Sequence, residues 1–331
     1  MVSLGLKEIA HRAKRRILLG FSPRVHLDKK TVLVNPDSWT LFQKQTFSSN
    51  ETDVCRAYIE QIASSDFEKI VGYVGVIDKK FLPKLKNLHW LQLASHGFNG
   101  FDNRNLYTSP KIVVSNLKNV FAEPISDFCI AAFNYFYSYP LRSLSGNPPR
   151  LGNMTAPPRN ITVTILGIGN IGNVLAQKCR KIGWTVFAVK RNLNDYRKPE
   201  YVNEIASWNG AGDLLRRSDY VVNILPGTEE TRGMCDLKFF SLMKPTAVFC
   251  NVGRGRTVVD DDLEKAVGDG LIAGAVLDAS TRRKYKSPNI IVTNHTSSVS
   301  PDNAAKYDEY FTCQLKKYLA GETVDNIIPL K

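Results

Sequence analysis

The chain has 331 residues, with 44 Lys and Arg against 31 Asp and Glu, which gives a formal net charge of +13. This length accommodates two domains with hydrophobic cores of their own. The basic residues are spread along the chain and do not interleave with aromatic residues, so the charge indicates small anions or a generally basic surface and no nucleic-acid partner. No apolar run is long enough to span a bilayer, so we expect a soluble protein with no membrane partner.

A basic stretch occupies residues 1–28. Up to Arg24 it contains one acidic residue, Glu8. Apolar and basic side chains recur there at helical spacing on opposite faces: Leu6, Ile9, Ala13 and Ile17 against Lys7, Arg12, Arg15 and Arg16. Such a segment is typical of a mitochondrial targeting sequence, and it is equally compatible with a helix on a domain surface. We expect a cytoplasmic protein, with the mitochondrion as the alternative if the stretch is a transit peptide.

Short, mainly apolar runs predict buried strands at 31–34, 69–74, 90–93 and 111–114. Helical or turn segments separate them. This alternation is typical of a parallel sheet. The loop Ser95-His96-Gly97 comes directly after the third of these strands, and ligands of open α/β sheets bind at carboxyl ends of strands. Taken alone, His96 is better interpreted as an ordinary histidine of a surface loop.

An apolar helix is predicted at 122–137, followed by a linker rich in Pro, Gly, Ser and Asn at 141–160. Strands then alternate with helices, at 161–166, 184–189, 220–225, 247–252, 274–278 and 289–292. Six strands complete a doubly wound dinucleotide-binding domain. A final helix at about 301–318 is expected to fold back onto the first lobe.

The first strand of this second group ends directly in Gly167-Ile168-Gly169-Asn170-Ile171-Gly172, and a helical pattern begins at once. In such a loop the first glycine permits a tight turn, the second lets the backbone approach a pyrophosphate, and the third lets the helix pack on the strand. The phosphates then lie at a helix N-terminus, where free N–H groups and the helix dipole favour anions. The sequence therefore predicts a dinucleotide site here.

The cysteines do not indicate a disulfide framework or a metal site. All six are scattered, without a Cys-x-x-Cys pair or a nearby histidine cluster: Cys55, Cys129, Cys179, Cys235, Cys250 and Cys313. We expect free thiols in a reducing compartment and no bound metal.

Seven segments together resemble the D-isomer-specific 2-hydroxyacid dehydrogenases, with the glyoxylate/hydroxypyruvate reductases as a near branch. They occur in the order and at roughly the spacing of that family: 95–97, 167–172, 225–233, 243–245, 251–256, 274–278 and His295. The resemblance implies an α/β fold in which a doubly wound Rossmann domain is inserted into a discontinuous, flavodoxin-like substrate domain. The expected domains are 29–120 with 297–331 for the substrate and 121–296 for NAD(P), with the active site between them, and the expected assembly is a homodimer.

The resemblance also implies site residues. Arg254 would bind the substrate carboxylate and polarise its keto oxygen, a task that suits a guanidinium because it is always charged and can bind bidentately. His295 would give a proton to the developing alkoxide as hydride arrives from the nicotinamide. The Ser95-His96-Gly97 loop would bind the substrate carboxylate, through the backbone N–H groups of His96 and Gly97. The cofactor would be bound by Gly167, Gly169, Asn170, Ile171, Gly172, Lys190, Arg191, Leu225, Pro226, Thr231, Val252, Gly253 and Asp278.

The residues at the end of the second strand differ from those of NAD users of this fold. Those proteins place an acidic residue there to bond the ribose 2′-hydroxyl, whereas this chain has Lys190-Arg191. Adjacent cations would bind a 2′-phosphate that a carboxylate would repel, so we expect NADP(H) in preference to NAD(H). The alternative is a solvated basic turn, in which case NAD(H) would serve.

A second departure concerns the partner of the histidine. The family pairs this histidine with a glutamate that follows the aspartate matched by Asp278, and Arg283 stands at that position here. No Asp or Glu occurs between Asp278 and His295. Without such a carboxylate the charged imidazolium is less favoured, and loss of an acid–base partner costs roughly 10²–10⁴-fold in rate.

Two functions therefore remain open from the sequence. The first is an NADP(H)-dependent reductase of a small anionic 2-oxo acid such as glyoxylate or hydroxypyruvate, with impaired catalysis as a variant of it. The second is a catalytically weak or inactive dinucleotide-binding protein whose cofactor occupancy regulates dimerisation or partner binding. Retention of both Arg254 and His295 favours the enzyme, because a protein that only binds needs neither.

Overall fold

The computed structural model describes residues 24–38, 52–95, 97–98, 100–138, 142–143, 160–194 and 196–331. Most of the basic stretch 1–28 and most of the predicted linker 141–160 lie outside the described residues. The chain divides into two compact units, Met1–Val120 with Ser300–Lys331, and Phe121–Val299.

The described residues of the first unit form a sheet of five parallel strands. These are β1 (Lys30–Val34), β2 (Thr52–Arg56), β3 (Ile70–Val74), β4 (Trp90–Gln92) and β5 (Val113–Ser115). Their order is β2-β1-β3-β4-β5, with every neighbouring pair parallel. This is the strand order of flavodoxin-like folds, and the central strand β3 is buried along its whole length, as a parallel sheet covered on both faces requires.

The C-terminal helix (Asn303–Leu319) belongs to this first unit. The ring of Tyr318 stacks on Trp90 of β4 with 4.8 Å between centroids, and its hydroxyl donates to the Val71 carbonyl oxygen at 3.0 Å. The apolar face of the helix buries Phe311 and Leu315 completely. These contacts attach the end of the chain to the sheet formed by its beginning.

The described residues of the second unit contain seven strands and five α-helices. The strands are β6 (Thr162–Leu166), β7 (Thr185–Val189), β8 (Glu204–Ala206), β9 (Tyr220–Asn223), β10 (Val248–Asn251), β11 (Gly274–Leu277) and β12 (Ile290–Val292). The helices are α1 (Ala122–Tyr137), α2 (Asn170–Lys181), α3 (Ala211–Arg217), α4 (Leu237–Phe240) and α5 (Asp260–Gly268), which makes the C-terminal helix α6.

The strand order of this unit is β12-β11-β10-β9-β6-β7-β8, and all its strands are parallel. Read from β8, the first six positions follow the doubly wound order of dinucleotide-binding domains, and β12 adds a seventh. The sequence-based prediction of the α/β class and of a Rossmann domain is therefore confirmed.

Two strands escaped the sequence analysis, β2 and β8. Both lie at an edge of their sheet, where a strand pairs with another strand on one side only. In β2 the middle residue alone is fully buried, and in the three residues of β8 none is. Without a run of buried apolar side chains, an edge strand lacks the pattern by which buried strands are predicted.

Within the described ranges, no helix combines the length and the apolar character needed to cross a lipid bilayer. The six cysteines are all free thiols. Four of them, Cys129, Cys179, Cys235 and Cys250, are fully buried in the second unit. Burial raises the pKa of Cys179 to about 12, so this thiol is protonated at neutral pH.

Candidate functional site

The glycine loop connects β6 to α2 with the geometry that a bound phosphate requires. Gly167 has a φ of +102°, which favours glycine. A Cβ on Gly172 would lie 2.2 Å from the Gly167 carbonyl oxygen. The first turn of the helix can therefore pack against the loop only because this residue is glycine. Gly169 is exposed, and a Cβ there would meet nothing within 4 Å. The open side of the loop is thus accessible to a ligand.

The N-terminus of α2 has no side chain that caps it. Gly169 is the N-cap residue and offers no side-chain acceptor to the amides of Asn170, Ile171 and Gly172, and the first turn holds no acidic residue. Uncapped amides at the start of a helix are donors for an anion. The loop and the helix start together therefore fit a pyrophosphate group.

Lys190 follows β7 at the same edge of the sheet. Its backbone N–H donates to the Ala206 carbonyl oxygen at 3.0 Å, and its ammonium nitrogen lies 4.5 Å from the centroid of the Tyr196 ring. A cation over an aromatic face is held electrostatically. Arg191 is exposed beside it. Burial raises the pKa of Tyr196, which keeps its hydroxyl neutral.

The loops after β9 and β10 touch each other. A Cβ on Gly253 would lie 2.6 Å from the Leu225 carbonyl oxygen, and Val252 is buried beside it. Pro226 is exposed next to Leu225. Thr231 turns its hydroxyl into its own loop, where it donates to the Pro226 carbonyl oxygen at 2.5 Å. The structure thus brings these predicted cofactor residues together at the carboxyl edge of the second sheet.

Arg254 lies between two glycines directly after β10. It is half-buried, and its Nη1 donates to the Gly253 carbonyl oxygen at 2.7 Å. Burial lowers the pKa of Arg254, yet a guanidinium stays charged because its ordinary pKa is so high. A half-buried cation with donors still unused is suited to bind a carboxylate.

His295 is exposed, in the loop that follows β12. Its φ is +58°, a left-handed conformation that few residues other than glycine adopt. In the part of the chain that the structure describes, no carboxylate forms an ion pair with its imidazole; the one His–carboxylate pair recorded there joins His26 to Asp66. Asp278, at the end of β11, is 2% exposed and accepts hydrogen bonds from the loop that carries His295.

Comparison with known proteins matches residues 148–301 to the NAD-binding domain of the D-isomer-specific 2-hydroxyacid dehydrogenases. This range contains the glycine loop, Arg254 and His295. Residues 148–301, just under half of the chain, thus resemble the NAD-binding domain of that family.

Individual proteins of this family also match the chain in sequence. A glyoxylate reductase of Thermococcus kodakarensis is 36% identical over 146 residues, which cover 42% of this chain and 43% of that protein. The human glyoxylate reductase/hydroxypyruvate reductase is 37% identical over 137 residues, or 40% of this chain and 38% of the relative. These matches therefore span less than half the length of the curated relatives.

Solved structures of the family share the fold over nearly the whole chain. A family member from Aeromonas salmonicida superposes with a TM-score of 0.72 at 22% identity, covering 91% of this chain and 99% of that one. An NADPH-dependent glyoxylate/hydroxypyruvate reductase from Sinorhizobium meliloti, in complex with NADP and sulfate, gives 0.69 at 21% identity over 91% and 98%. At these identities the likeness establishes the fold.

The segment between β11 and β12, where the resemblance implies a glutamate, is basic. It is attached to helix α5. Arg282 pairs with Asp261 and with Glu264 (2.9 Å to the latter), and the Tyr285 hydroxyl donates to Asp260 at 2.6 Å. Arg283 donates from Nη1 to the Thr293 carbonyl oxygen at 3.2 Å. The nearest acidic residues of α5 are thus engaged with this segment.

The loop matched to the substrate carboxylate belongs to the first unit. Ser95 is exposed after β4, and its hydroxyl donates to the Gly97 carbonyl oxygen at 2.6 Å. The Ser95 carbonyl oxygen accepts from the Leu117 N–H at 3.1 Å, which fixes the start of the loop. His96 lies outside the described residues. Among the described residues, no group of three or more His, Cys, Asp or Glu side chains is placed to hold a metal ion.

Three polar residues with contacts in the site were missed by the sequence analysis: Tyr196, Thr293 and Ser297. Tyr196 carries the ring beneath Lys190, and the two hydroxyl residues bind Asp278. The hydroxyl-rich run around His295 was a usable signal, because Ser and Thr often bond to nearby carboxylates and backbone groups in loops. No local signal pointed to Tyr196.

Proposed function

We propose that this protein is an NADP(H)-dependent reductase of small anionic 2-oxo acids, of the glyoxylate or hydroxypyruvate type. The observation that carries the proposal is the presence of Arg254 and His295 on loops at the carboxyl ends of β10 and β12, in the same unit as an uncapped glycine loop. The names of the relatives from Thermococcus kodakarensis and from human support the substrate class.

The cofactor is bound along the carboxyl edge of the second sheet. The amides of Asn170, Ile171 and Gly172 bind the pyrophosphate, and the loops at Leu225 and Gly253 line the site further along. Lys190 and Arg191 bind a 2′-phosphate, which gives the preference for NADP(H) over NAD(H). The NADP in the Sinorhizobium meliloti structure supports this choice. When bound, the reduced nicotinamide supplies the hydride that adds to the keto carbon.

The substrate is oriented by charge. The Arg254 guanidinium binds its carboxylate and draws electron density from the keto oxygen, so that the adjacent carbon accepts hydride more readily. His295 then gives its proton to the keto oxygen, and the product is a 2-hydroxy acid.

The second candidate is a catalytically weak dinucleotide-binding protein whose occupancy regulates association. The specific observation in its favour is the imidazole of His295, which no described carboxylate holds in its charged form. Loss of the acid–base partner of a catalytic histidine lowers the rate, so the reductase is expected to be slow.

NADPH oxidation, followed by the loss of reduced nicotinamide absorbance with glyoxylate and with hydroxypyruvate, tests the proposal. Arg254→Ala is expected to lower kcat/KM by about 10²–10³-fold, because the main charge partner of the substrate is gone. Arg232→Ala is the matched control, since Arg232 is an exposed arginine that pairs with Glu229. No turnover of either acid by a wild type that binds NADPH would decide for the second candidate.

We also propose a homodimer, which the family resemblance supports, and a cytoplasmic location, because no motif outside residues 1–28 indicates import. Sedimentation velocity at micromolar protein tests the assembly, and a single species at the monomer mass would contradict it. A fluorescent fusion of the full chain, beside one without residues 1–28, tests the compartment. Mitochondrial signal that depends on those residues would contradict a cytoplasmic location.

A further inference from the structure

The conformation of His295 requires an explanation. A φ of +58° brings the Cβ of a residue close to backbone atoms, so histidine adopts it only when the surroundings hold it there. The residue is exposed, and among the described residues no ion pair or ring contact involves its imidazole. What holds this backbone must therefore lie in the residues on either side.

Both sides of His295 are bound by one carboxylate. Oδ1 of Asp278 accepts from the Thr293 hydroxyl at 2.6 Å and from the Thr296 N–H at 2.8 Å. The Ser297 N–H lies 3.2 Å from each carboxylate oxygen, and the Ser297 hydroxyl donates to Oδ2 at 2.5 Å. Thr293, two positions before His295, and the two residues after it thus bind the same carboxylate.

This carboxylate is itself fixed to the sheet. The Asp278 N–H donates to the Asn251 carbonyl oxygen at 3.0 Å, and the Thr293 N–H donates to that of Leu277 at 2.9 Å. Asp278 and Ser297 are buried, with 2% and 7% exposure. A buried side chain whose oxygens accept several hydrogen bonds resists displacement.

We propose that Asp278 is the positioning residue of His295. It holds the loop 293–297 on β11 in the left-handed turn that directs the imidazole, and its own oxygens are occupied by that loop. A glutamate bound to the imidazole would orient His295 directly. Here Asp278 orients it through the backbone of the loop 293–297. This inference rests on the proposed function, in which His295 gives the proton.

Thr293 offers the sharpest test, because one hydrogen bond can be removed at nearly constant shape. Thr293→Val deletes the donor to Oδ1 and keeps the branched side chain, whereas Thr293→Ser keeps the hydroxyl. We expect kcat for glyoxylate to fall about tenfold in the valine variant, with KM and the NADPH Kd unchanged, and to return in the serine variant. Ser297→Ala, which removes the bond to Oδ2, is expected to act in the same direction and serves if the valine variant does not fold.

A second readout does not need turnover. The chain has five histidines, so the Cε1–H resonance of His295 can be assigned in ¹³C-histidine-labelled protein by its loss in His295→Gln. We expect this resonance to shift or broaden in Thr293→Val and in Ser297→Ala, and to keep its wild-type position in Thr293→Ser, in the NADPH-bound protein.

The two readouts separate failure of this inference from failure of the proposed function. Wild-type kcat and an unmoved His295 resonance in Thr293→Val and Ser297→Ala would overturn the inference and leave the reductase intact. Equal losses in the valine and serine variants would also overturn it, because they would point to packing. If the wild type binds NADPH without reducing any 2-oxo acid, the proposed function fails, and the resonance alone decides whether Asp278 positions the loop. An Asp278→Asn variant that weakens NADPH binding and leaves the resonance unmoved would overturn it as well.

Discussion

Gly253 lies against the backbone of Leu225 so closely that a Cβ on it would be 2.6 Å from the Leu225 carbonyl oxygen and 2.9 Å from its nitrogen. These atoms are backbone, so no flexible side chain can move aside. The contact joins the loop after β9 to the loop that carries Arg254. The side-chain size at one position therefore controls how two loops of the candidate site fit together.

We expect Gly253→Ala to destabilise the protein by about 1–3 kcal/mol and to weaken NADPH binding, because the two loops must separate. Thermal unfolding and fluorescence titration with NADPH measure the two effects. Gly268→Ala is the control: a Cβ there meets nothing within 4 Å at the end of α5, and the change is expected to be neutral or slightly stabilising. Wild-type stability and affinity in Gly253→Ala would show that the loops can separate without cost.

The contact between Lys190 and Tyr196 leads to a prediction about cofactor choice. Lys190→Ala is expected to reduce the preference for NADPH over NADH roughly tenfold or more, because a charged donor to the 2′-phosphate is lost. Tyr196→Leu removes the ring that holds the ammonium and is expected to act in the same direction by a smaller factor.

Tyr196→Phe keeps the ring and is the matched control, with the wild-type preference expected. The ratio of the two dissociation constants, measured by calorimetry at low salt, is the quantity to compare. An unchanged ratio in Lys190→Ala would mean that the basic pair is a solvated turn.

Arg283 donates to the carbonyl oxygen of Thr293, two residues before His295. The resemblance to the family implies a glutamate at the position of Arg283. Arg283→Glu exchanges a cation near the histidine for an anion, which favours the charged imidazole. We expect kcat to rise, because a carboxylate at this position can bind the imidazole and orient it for proton donation. Rates measured from pH 5 to pH 9 test this.

Arg283→Gln removes the cation without adding a carboxylate, and its profile is expected to fall between those of the wild type and Arg283→Glu. A glutamate variant that is no faster than the glutamine variant at any pH would show that charge at this position does not reach the imidazole.

Asp66 provides a prediction of pH-dependent stability in the first unit. Its carboxylate accepts from Lys69 Nζ at 2.9 Å and from the Leu27 N–H at 3.1 Å, and these bonds hold its pKa below the ordinary value of 3.8. The stabilisation is present above the pKa of the unfolded chain and is lost as pH falls through the lower pKa of the folded protein.

Asp66→Asn is therefore expected to be less stable than the wild type at pH 7, with the difference shrinking as the pH falls below about 4. Urea unfolding at pH 7, 5 and 3 measures it. Asp28, an exposed residue of the same unit, is the control position, where Asp28→Asn is expected to leave stability nearly unchanged at each pH. A constant difference between Asp66→Asn and wild type at all three values would contradict the assignment.

Much of the candidate site could be predicted from the sequence because its signals are local. A β-branched run that ends in the loop at Gly167 specifies strand, turn and helix start within a dozen residues. Arg254 stands out in the same way, between two glycines after a buried strand. The residues around Asp278 could not be predicted, because Thr293 and Ser297 lie 15 and 19 positions away and meet it only through the path of the loop.

The sequence by itself determined the α/β class, the central strands of both sheets and the glycine loop, since each depends on neighbouring residues and on burial along a continuous run. The tertiary structure decided the rest. It added the edge strands β2 and β8, whose half-exposed side chains carry no such pattern. It also showed which residues attach α6 to the first unit, where the sequence predicts this helix to pack: Tyr318 stacks on Trp90. It also brought the loop of His295 onto the Asp278 carboxylate. The sequence could not predict these hydrogen bonds, because they depend on the three-dimensional path of the loop.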